Sequence, residues 1–131
     1  MKKLITAITM FLCACTAQKD NDFTPGSYKL INSLNNTPIT ITFAKDGKLN
    51  GKVVNYLMGE YKIDPDSKIS FGPIASTMMM GPQKDMEAEQ FFLQNLQNVK
   101  SYKIKGNRLI LTTEDGSELM FEPDTPPAEI N

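Results

Sequence analysis

Short segments of alternating apolar and polar residues, separated by turn residues, make up most of the chain. Glycine next to aspartate or asparagine separates several of them, at Asp46-Gly47, Gly106-Asn107 and Asp115-Gly116. These pairs supply the positive backbone angles that two-residue hairpin loops require. The pattern therefore predicts an antiparallel meander. The predicted strands are residues 39–43, 48–53, 56–64, 68–71, 101–105, 108–112 and 118–121.

One segment departs from the strand period. After Pro82, Asp85 is a candidate N-cap, and Met86, Leu93 and Leu96 fall on one helical face together with Phe92. We expect a helix at about residues 84–97 that covers an open side of the sheet and buries methionines and phenylalanines there. The predicted fold class is mainly β (α+β): a curved antiparallel β-meander, barrel-like, with one α-helix packed against it.

The N-terminus has the features of an export signal. Two lysines precede an apolar run over residues 4–14, which is shorter than the roughly twenty residues that a membrane-spanning helix needs. The run ends in Leu12-Cys13-Ala14-Cys15, which resembles the bacterial lipobox, with the small Ala14 directly before Cys15. We expect residues 1–14 to be a lipoprotein signal peptide and Cys15 to be lipidated. The alternative is an ordinary secretory signal with two incidental cysteines.

Three regions follow the signal. Residues 15–25 are polar and are predicted to be a flexible tether from the lipidated Cys15, residues 26–123 are long enough for one domain, and the proline-rich residues 124–131 are predicted to be a disordered tail. Because Cys13 leaves with the signal and Cys15 carries the lipid, the domain has neither a free thiol nor a disulfide.

Charge and sorting signals limit the location and the partners. The chain has 14 basic and 15 acidic residues, for a net charge of -1, and loss of Lys2 and Lys3 with the signal leaves about -3. That balance offers no basic surface for nucleic acid. Thr16 is similar to outer-membrane sorting signals. Residues 18–22 resemble a surface-export signal of Bacteroidetes lipoproteins, with solvated linker charges as the alternative. The expected location is the outer membrane, lipid-anchored, on its periplasmic or cell-surface face.

Several short motifs together resemble one family. They are Gly51-x-x-x-Asn55-x-x-x-Gly59-x-Tyr61, the stretch 74–79, a helix with Phe91-Phe92, and the hairpin that starts at Leu109. Their order and spacing resemble the META domain, also called the HslJ-like family, from Tyr28 to Phe121. The resemblance implies a small barrel-like β-domain with one helix and, loosely, a link to stress tolerance.

The resemblance also singles out individual residues. The resemblance implies that many members carry cysteines at the positions of Val54 and Gly81, so any thiol chemistry is excluded in this chain. The motif residues either line an interaction surface or serve structure, with asparagine and glycine forming a turn while tyrosine packs. These candidate residues are Gly51, Asn55, Gly59, Tyr61, Thr77 and Met79.

The residue types argue against catalysis. The chain has no histidine, and no domain cysteine or phosphate-binding glycine loop is present. Carboxylates and lysines are the only candidate acids or bases. Asp64 with Asp66 is interpreted as a turn, and Glu87 with Glu89 as a solvated helix face. The sequence therefore predicts no enzyme, no catalytic residue and no cofactor.

A run of methionines is the most unusual local feature. Met78, Met79 and Met80, with Met58 and Met86 nearby, offer thioethers that suit Cu(I). Consecutive strand residues alternate faces, however, so three in a row cannot all reach one ion without irregular backbone. We favour core and loop packing, and predict no metal site.

Two function classes remain. The first is a non-catalytic interaction module of the envelope, attached to the membrane through lipid on Cys15 and binding an unknown envelope protein. The alternative is a carrier for a small apolar ligand that uses the interior of the curved sheet.

Overall fold

A computed structural model describes residues 23–124 and places nine strands, one α-helix and a short 3-10 helix (Leu34–Asn36) within them. The predicted signal, Cys15, most of the tether and nearly all of the tail lie outside the described residues. The strands before the helix are β1 (Gly26–Leu30), β2 (Thr40–Phe43), β3 (Lys48–Lys52), β4 (Tyr56–Asp64), β5 (Lys68–Phe71) and β6 (Ala75–Ser76). After them come α1 (Gln83–Gln97), β7 (Val99–Lys105), β8 (Arg108–Thr113) and β9 (Glu118–Pro123).

Eight of the strands form a closed antiparallel barrel. Their order is β3-β2-β1-β9-β8-β7-β5-β4, and β4 pairs back onto β3 to close the circuit. The seam between β5 and β7 is short: Lys68 lies opposite Ser101, and the Tyr102 N–H donates to the Ser67 carbonyl at 2.9 Å. The remaining strand, β6, lies beside β5 on the same edge of β4. The predicted fold class is therefore confirmed.

The hairpin turns follow the glycine signals in the sequence. Gly106 between β7 and β8 has φ of 63°, and Gly116 between β8 and β9 has φ of 91°. L-residues with side chains adopt such angles only at a cost, so glycine fixes where these strands reverse. In the second turn, the Asp115 carboxylate accepts hydrogen bonds from the Thr113 hydroxyl at 2.6 Å and the Ser117 N–H at 3.1 Å.

The barrel interior is filled by the protein's own side chains. Alternate strand residues point inward, and α1 closes one end with Phe92 and Leu96. At the other end Phe23 packs against Phe43 and Tyr61, with ring centroids 5.2 and 5.6 Å apart. Phe23, which precedes β1, thus contributes to the packing at this end of the barrel. The most deeply buried interior side chains are Ile39, Ile41, Phe43, Leu57, Ile69, Phe92, Leu96, Leu109, Leu111 and Phe121.

Two details of the predicted helix are wrong. Asp85 is not the N-cap, because the helix begins at Gln83 with Pro82 in that position, which places Asp85 inside the first turn. There its carboxylate accepts the Thr37 hydroxyl at 2.8 Å. Phe91 is exposed rather than buried, since only the neighbouring Phe92 faces the barrel.

Candidate functional site

A buried carboxylate on α1 is the most distinctive polar group in the described structure. Glu89 is 5% exposed, and one of its oxygens, Oε1, accepts the backbone N–H groups of Val54 and Asn55 at 3.1 and 2.8 Å. Its other oxygen, Oε2, accepts the Asn55 Nδ2 at 2.8 Å. The interpretation of Glu89 as part of a solvated helix face is therefore wrong.

Neutral donors, rather than a cation, satisfy this carboxylate. Within residues 23–124, the ion pairs are Lys29–Glu122, Lys62–Asp64 and Lys103–Glu118, and none of them includes Glu89. Burial of a carboxylate is costly unless it is hydrogen-bonded. Hydrogen bonds from N–H groups to a charged acceptor are stronger than hydrogen bonds between two neutral groups. The arrangement suits a structural anchor for the β3–β4 turn.

Asn55 extends the anchor to the segment between β6 and α1. Its Oδ1 accepts the Met79 N–H and the Thr77 hydroxyl, the latter at 2.8 Å. Its Nδ2 donates to Glu89 and also to the Met79 carbonyl at 3.3 Å. Because the Met79 N–H can only donate and the Glu89 carboxylate accepts, the Asn55 amide has a single orientation that satisfies both sides.

Three of the six candidate motif residues, Asn55, Thr77 and Met79, meet here with Glu89. We call these four residues the Asn55 network. Thr77 also accepts the Tyr56 N–H at 3.0 Å through its hydroxyl, so the network joins α1, the β3–β4 turn and the segment after β6. The sequence analysis missed Glu89. A signal was present, because Glu89 shares the i, i+3, i+7 stripe of Phe92 and Leu96 on the buried face.

The other three candidates lie in the barrel wall. Gly51 allows β2 to approach β3 closely, since a Cβ on Gly51 would lie 2.7 Å from the Thr40 carbonyl oxygen. Gly59 on β4 lies under the segment that leads to β6, where a Cβ would meet the Pro73 carbonyl oxygen at 3.1 Å. Tyr61 is near the opposite end of the barrel, and its hydroxyl donates to the Ala44 carbonyl.

Val54 and Gly81, where the family resemblance implies cysteines in many members, are in direct contact. A Cβ built on Gly81 would lie 2.9 Å from Val54 Cγ1 and 3.6 Å from Val54 Cβ. The second distance falls within the range of about 3.5–4.5 Å that disulfide-bonded residues show. At the two positions that the resemblance singles out, a valine side chain therefore occupies the space beside a glycine.

The Asn55 network holds Met79 but leaves its neighbours on the surface. Met78 is 93% exposed and Met80 is 88% exposed. The expectation that the helix buries these methionines is wrong, because Asn55 holds the segment through the backbone of Met79 and the side chains of Met78 and Met80 are exposed. At this exposure, the side chains of Met78 and Met80 form an apolar segment on the surface and do not contribute to the core.

An exposed face of β3 and β4 adjoins this segment. Tyr56 and Met58 on β4 are 54% and 55% exposed, and they lie opposite Lys52 and Asn50 of β3. The Lys52 ammonium is 5.2 Å from the centre of the Tyr56 ring, a cation–π contact. Lys48 follows on the same face, opposite Glu60. The surface thus combines apolar side chains with two lysines and the exposed carboxylate of Glu60.

At the far end of the barrel, Phe23, Tyr61 and Tyr102 line an open depression of about 610 Å³, together with Lys45 and Lys62. Burial raises the pKa of Tyr61 above its ordinary value, and the negative charge of Asp46 raises it further. Burial, followed by interaction with Tyr61, also raises the pKa of Tyr28. These shifts keep both hydroxyls protonated, and they describe packing at the barrel end rather than an acid or base.

Neither a metal centre nor a membrane helix is found in the described part of the chain. Residues 23–124 contain no group of three or more histidine, cysteine, aspartate or glutamate side chains placed to hold a metal ion. Within the same range, α1 is too short and too polar to cross a bilayer.

The META domain model matches residues 7–126, and the chain belongs to the META domain family. No curated protein matches it in sequence. An NMR structure of a protein from Burkholderia xenovorans has the same fold, with a TM-score of 0.65, 22% identity, and coverage of 93% of this chain and 94% of that one. A crystal structure of a duf4847 family protein from Bacteroides vulgatus matches with a TM-score of 0.51 and 24% identity, over 67% of this chain and 60% of that one.

Proposed function

We propose that this META domain protein is a lipid-anchored, non-catalytic interaction module on the outer membrane. One observation carries the proposal: the Asn55 network fixes the backbone of Met79 while Met78 and Met80 remain exposed. An apolar segment held in place at the surface loses little conformational freedom when it binds, which favours affinity for a partner.

The filled barrel favours interaction over transport. A carrier needs an enclosed apolar cavity of a few hundred cubic ångströms, whereas the described barrel interior is occupied by side chains such as Phe43, Phe92 and Phe121. The depression beside Phe23 is open to solvent and has charged residues in its rim. Anchoring rests on the sequence alone, through the leader and the lipobox at Cys15.

Membrane fractionation combined with crosslinking in intact cells tests this proposal. Wild type, Cys15→Ala and Cys13→Ala are compared, because both cysteines lie in the lipobox region but only Cys15 is expected to carry lipid. We expect wild type and Cys13→Ala to be membrane-bound and to give the same crosslinked protein. Cys15→Ala should lose both. Membrane binding of Cys15→Ala at the wild-type level would show that the anchoring is wrong.

A further inference from the structure

The β7–β8 hairpin carries positive charge that no acidic residue of its own offsets. Residues 99–113 contain four basic residues and no acidic one: Lys100, Lys103, Lys105 and Arg108. Lys105 and Arg108 lie directly opposite each other on the two sides of the Gly106-Asn107 turn, and both are exposed. We call these two residues the turn cations. Like charges in directly opposite positions repel each other and destabilise a hairpin, and an anion between them would remove that repulsion.

The carboxylates of the adjoining strand, β9, have other partners. Glu118 binds Lys103 at 3.4 Å, and Glu122 binds Lys29 of β1 at 3.7 Å. Asp124 follows β9 on the side of β1, to which its backbone N–H donates. In the described part of the chain, neither turn cation belongs to an ion pair. An external anion can therefore approach the turn cations without displacing a bound carboxylate.

A depression in the outer wall of the barrel adjoins the turn cations. Its volume is about 380 Å³, and side chains of β7, β8 and β9 line it. The most deeply buried of them is Ile110, which lies outside the core cluster, between Lys103 and Met120 on the neighbouring strands, and is 4% exposed. Long side chains with apolar stems cover such a residue while their charged ends stay in water. Cations beside this apolar base attract an anion more strongly than fully solvated cations do.

The turn cations lie at the end of the barrel where the chain enters from its N-terminal side. Strands β1 and β8 are both antiparallel to β9, so they run in the same direction and begin at the same end. Phe23 packs at that end, three residues ahead of β1. It lies eight residues after Cys15 in the sequence, a distance that spans at most about 28 Å when fully extended. A lipid on Cys15 would therefore keep this end of the barrel close to the membrane surface.

The other two hairpin turns at this end contain acidic residues. Asp46 lies in the β2–β3 turn and Asp66 in the β4–β5 turn, and anionic headgroups would repel both. Contact with such headgroups through the β7–β8 turn avoids this repulsion. Because β1 and β3 are both antiparallel to β2, the β3–β4 turn and the Asn55 network lie at the opposite end of the barrel. The same contact would thus leave Met78 and Met80 away from the lipid, where a partner protein can reach them.

We propose that the β7–β8 hairpin binds the phosphate groups of anionic phospholipids in the membrane that carries the anchor. One headgroup phosphate would lie between Lys105 and Arg108, since a guanidinium offers parallel N–H donors to phosphate oxygens and an ammonium adds a compact charge. The anchor favours lipid as the source of the phosphate, because tethering holds the hairpin at a high effective concentration of headgroups. This inference rests on the anchoring part of the proposed function.

Nanodiscs that hold the lipidated protein, purified from the membranes of producing cells, test this inference. One set of discs contains phosphatidylcholine alone, and the other contains an equal mixture with phosphatidylglycerol. Both include a trace of lipid with a paramagnetic headgroup, which attenuates the NMR signals of nearby backbone amides. We expect the strongest attenuation at residues 103–108, and only in the mixed discs. Because each basic residue near an anionic surface contributes about fivefold to binding, K105E/R108E should lower the ratio of docked to undocked hairpin at least about thirtyfold.

A matched variant and a change of salt make the result specific. K45E/K62E makes the same change of charge at the same end of the barrel, outside the β7–β8 hairpin, and should leave the attenuation at residues 103–108 close to that of wild type. Amide signals far from the substituted positions should be unchanged in both variants, which shows that both are folded. Raising the salt from about 0.1 to 1 M shortens the screening length from about 10 to 3 Å and should abolish the attenuation in wild type.

Three outcomes would overturn the proposal. They are equal attenuation at residues 103–108 in the two kinds of disc, equal loss of attenuation in the two variants, and a photo-crosslinker at position 107 that captures a protein but no lipid in intact cells. Failure of the anchoring itself gives a different result, because the protein would then separate from the discs during gel filtration. A protein that stays in the discs without attenuation at the hairpin would leave the anchoring standing and would show that the hairpin does not contact lipid.

Discussion

Replacement of Glu89 by glutamine tests the Asn55 network most sharply, because it changes charge and donor pattern with little change of shape. The Glu89 carboxylate accepts three N–H groups: two from the backbone of Val54 and Asn55, and one from Asn55 Nδ2. A glutamine has a single oxygen. If that oxygen keeps the two backbone bonds, the Nε2 group faces Asn55 Nδ2, donor against donor. The reverse orientation loses both backbone bonds.

Asn55 cannot resolve this conflict by rotating its amide. Its Oδ1 already accepts the Met79 N–H and the Thr77 hydroxyl, so a flip would break both bonds. An unsatisfied buried donor costs about 1–3 kcal/mol, and a bond to a charged acceptor contributes about 1.5–3 kcal/mol. We therefore expect Glu89→Gln to lower the free energy of unfolding by about 2–4 kcal/mol, a large part of the stability of a small domain.

Urea unfolding followed by circular dichroism measures this change, since the chain has no tryptophan to report by fluorescence. Glu87→Gln is the matched control: it makes the same change on the solvent side of α1, where the carboxylate contacts only Gln83 at 3.3 Å, and it should alter stability by less than about 0.5 kcal/mol. Amide hydrogen exchange of Met79 should also accelerate in Glu89→Gln.

A second substitution should partly rescue the first. In Glu89→Gln with Asn55→Asp, the glutamine Nε2 finds an acceptor in the new carboxylate, while the other oxygen still receives Met79 and Thr77. Rescue stays incomplete because the carboxylate then faces the Met79 carbonyl. A coupling energy above about 1.5 kcal/mol in the double-mutant cycle is expected. A Glu89→Gln protein within about 0.5 kcal/mol of wild type would refute this reasoning.

Three further predictions concern the rest of the barrel. Gly81→Ala should destabilise the fold by about 1–2 kcal/mol through its clash with Val54. The oxidised V54C/G81C variant, which closes a loop of about 27 residues, should raise the free energy of unfolding by up to about 3.5 kcal/mol. Urea unfolding with and without reductant measures both changes. The pKa values of Tyr28 and Tyr61 are raised in the folded state, so these tyrosines ionise first in the unfolded chain. Their contribution to stability should be fully present below about pH 10 and should be lost as the pH rises above it. A Tyr61→Phe protein that loses stability above about pH 10 as steeply as wild type would contradict this. Phe23→Ala should cost about 2 kcal/mol and broaden the Tyr61 ring signals in NMR spectra, whereas unchanged stability would mean that Phe23 does not close the barrel.

Local sequence signals predicted most of the meander. The hairpins depend on Gly106, Gly116 and similar turn residues, whose backbone angles are set by the residue itself. The same local rules missed β1, which contains only Tyr28 and Leu30 as buried residues, and β6, which is two residues long. These strands exist because their neighbours supply hydrogen-bonding partners, and that information is not local.

The candidate site was predicted only in part, for the same reason. The family motif drew attention to Asn55, Thr77 and Met79, and the structure brings all three together. Glu89 was missed because a charged helix residue is usually solvated, and only the free N–H groups of a distant turn make its burial favourable. The exposure of Met78 and Met80 likewise depends on how Asn55 binds the residue between them.

One measurement tests the central claim most directly: photo-crosslinking in intact cells from position 78 in the wild-type and Cys15→Ala backgrounds. The account predicts one discrete protein adduct from position 78 in the anchored protein. That adduct should disappear in Cys15→Ala and fall strongly in Glu89→Gln, where the segment around Met79 loses its anchor. An adduct of equal intensity in all three proteins would contradict both the membrane anchoring and the role of the Asn55 network in presenting the methionines.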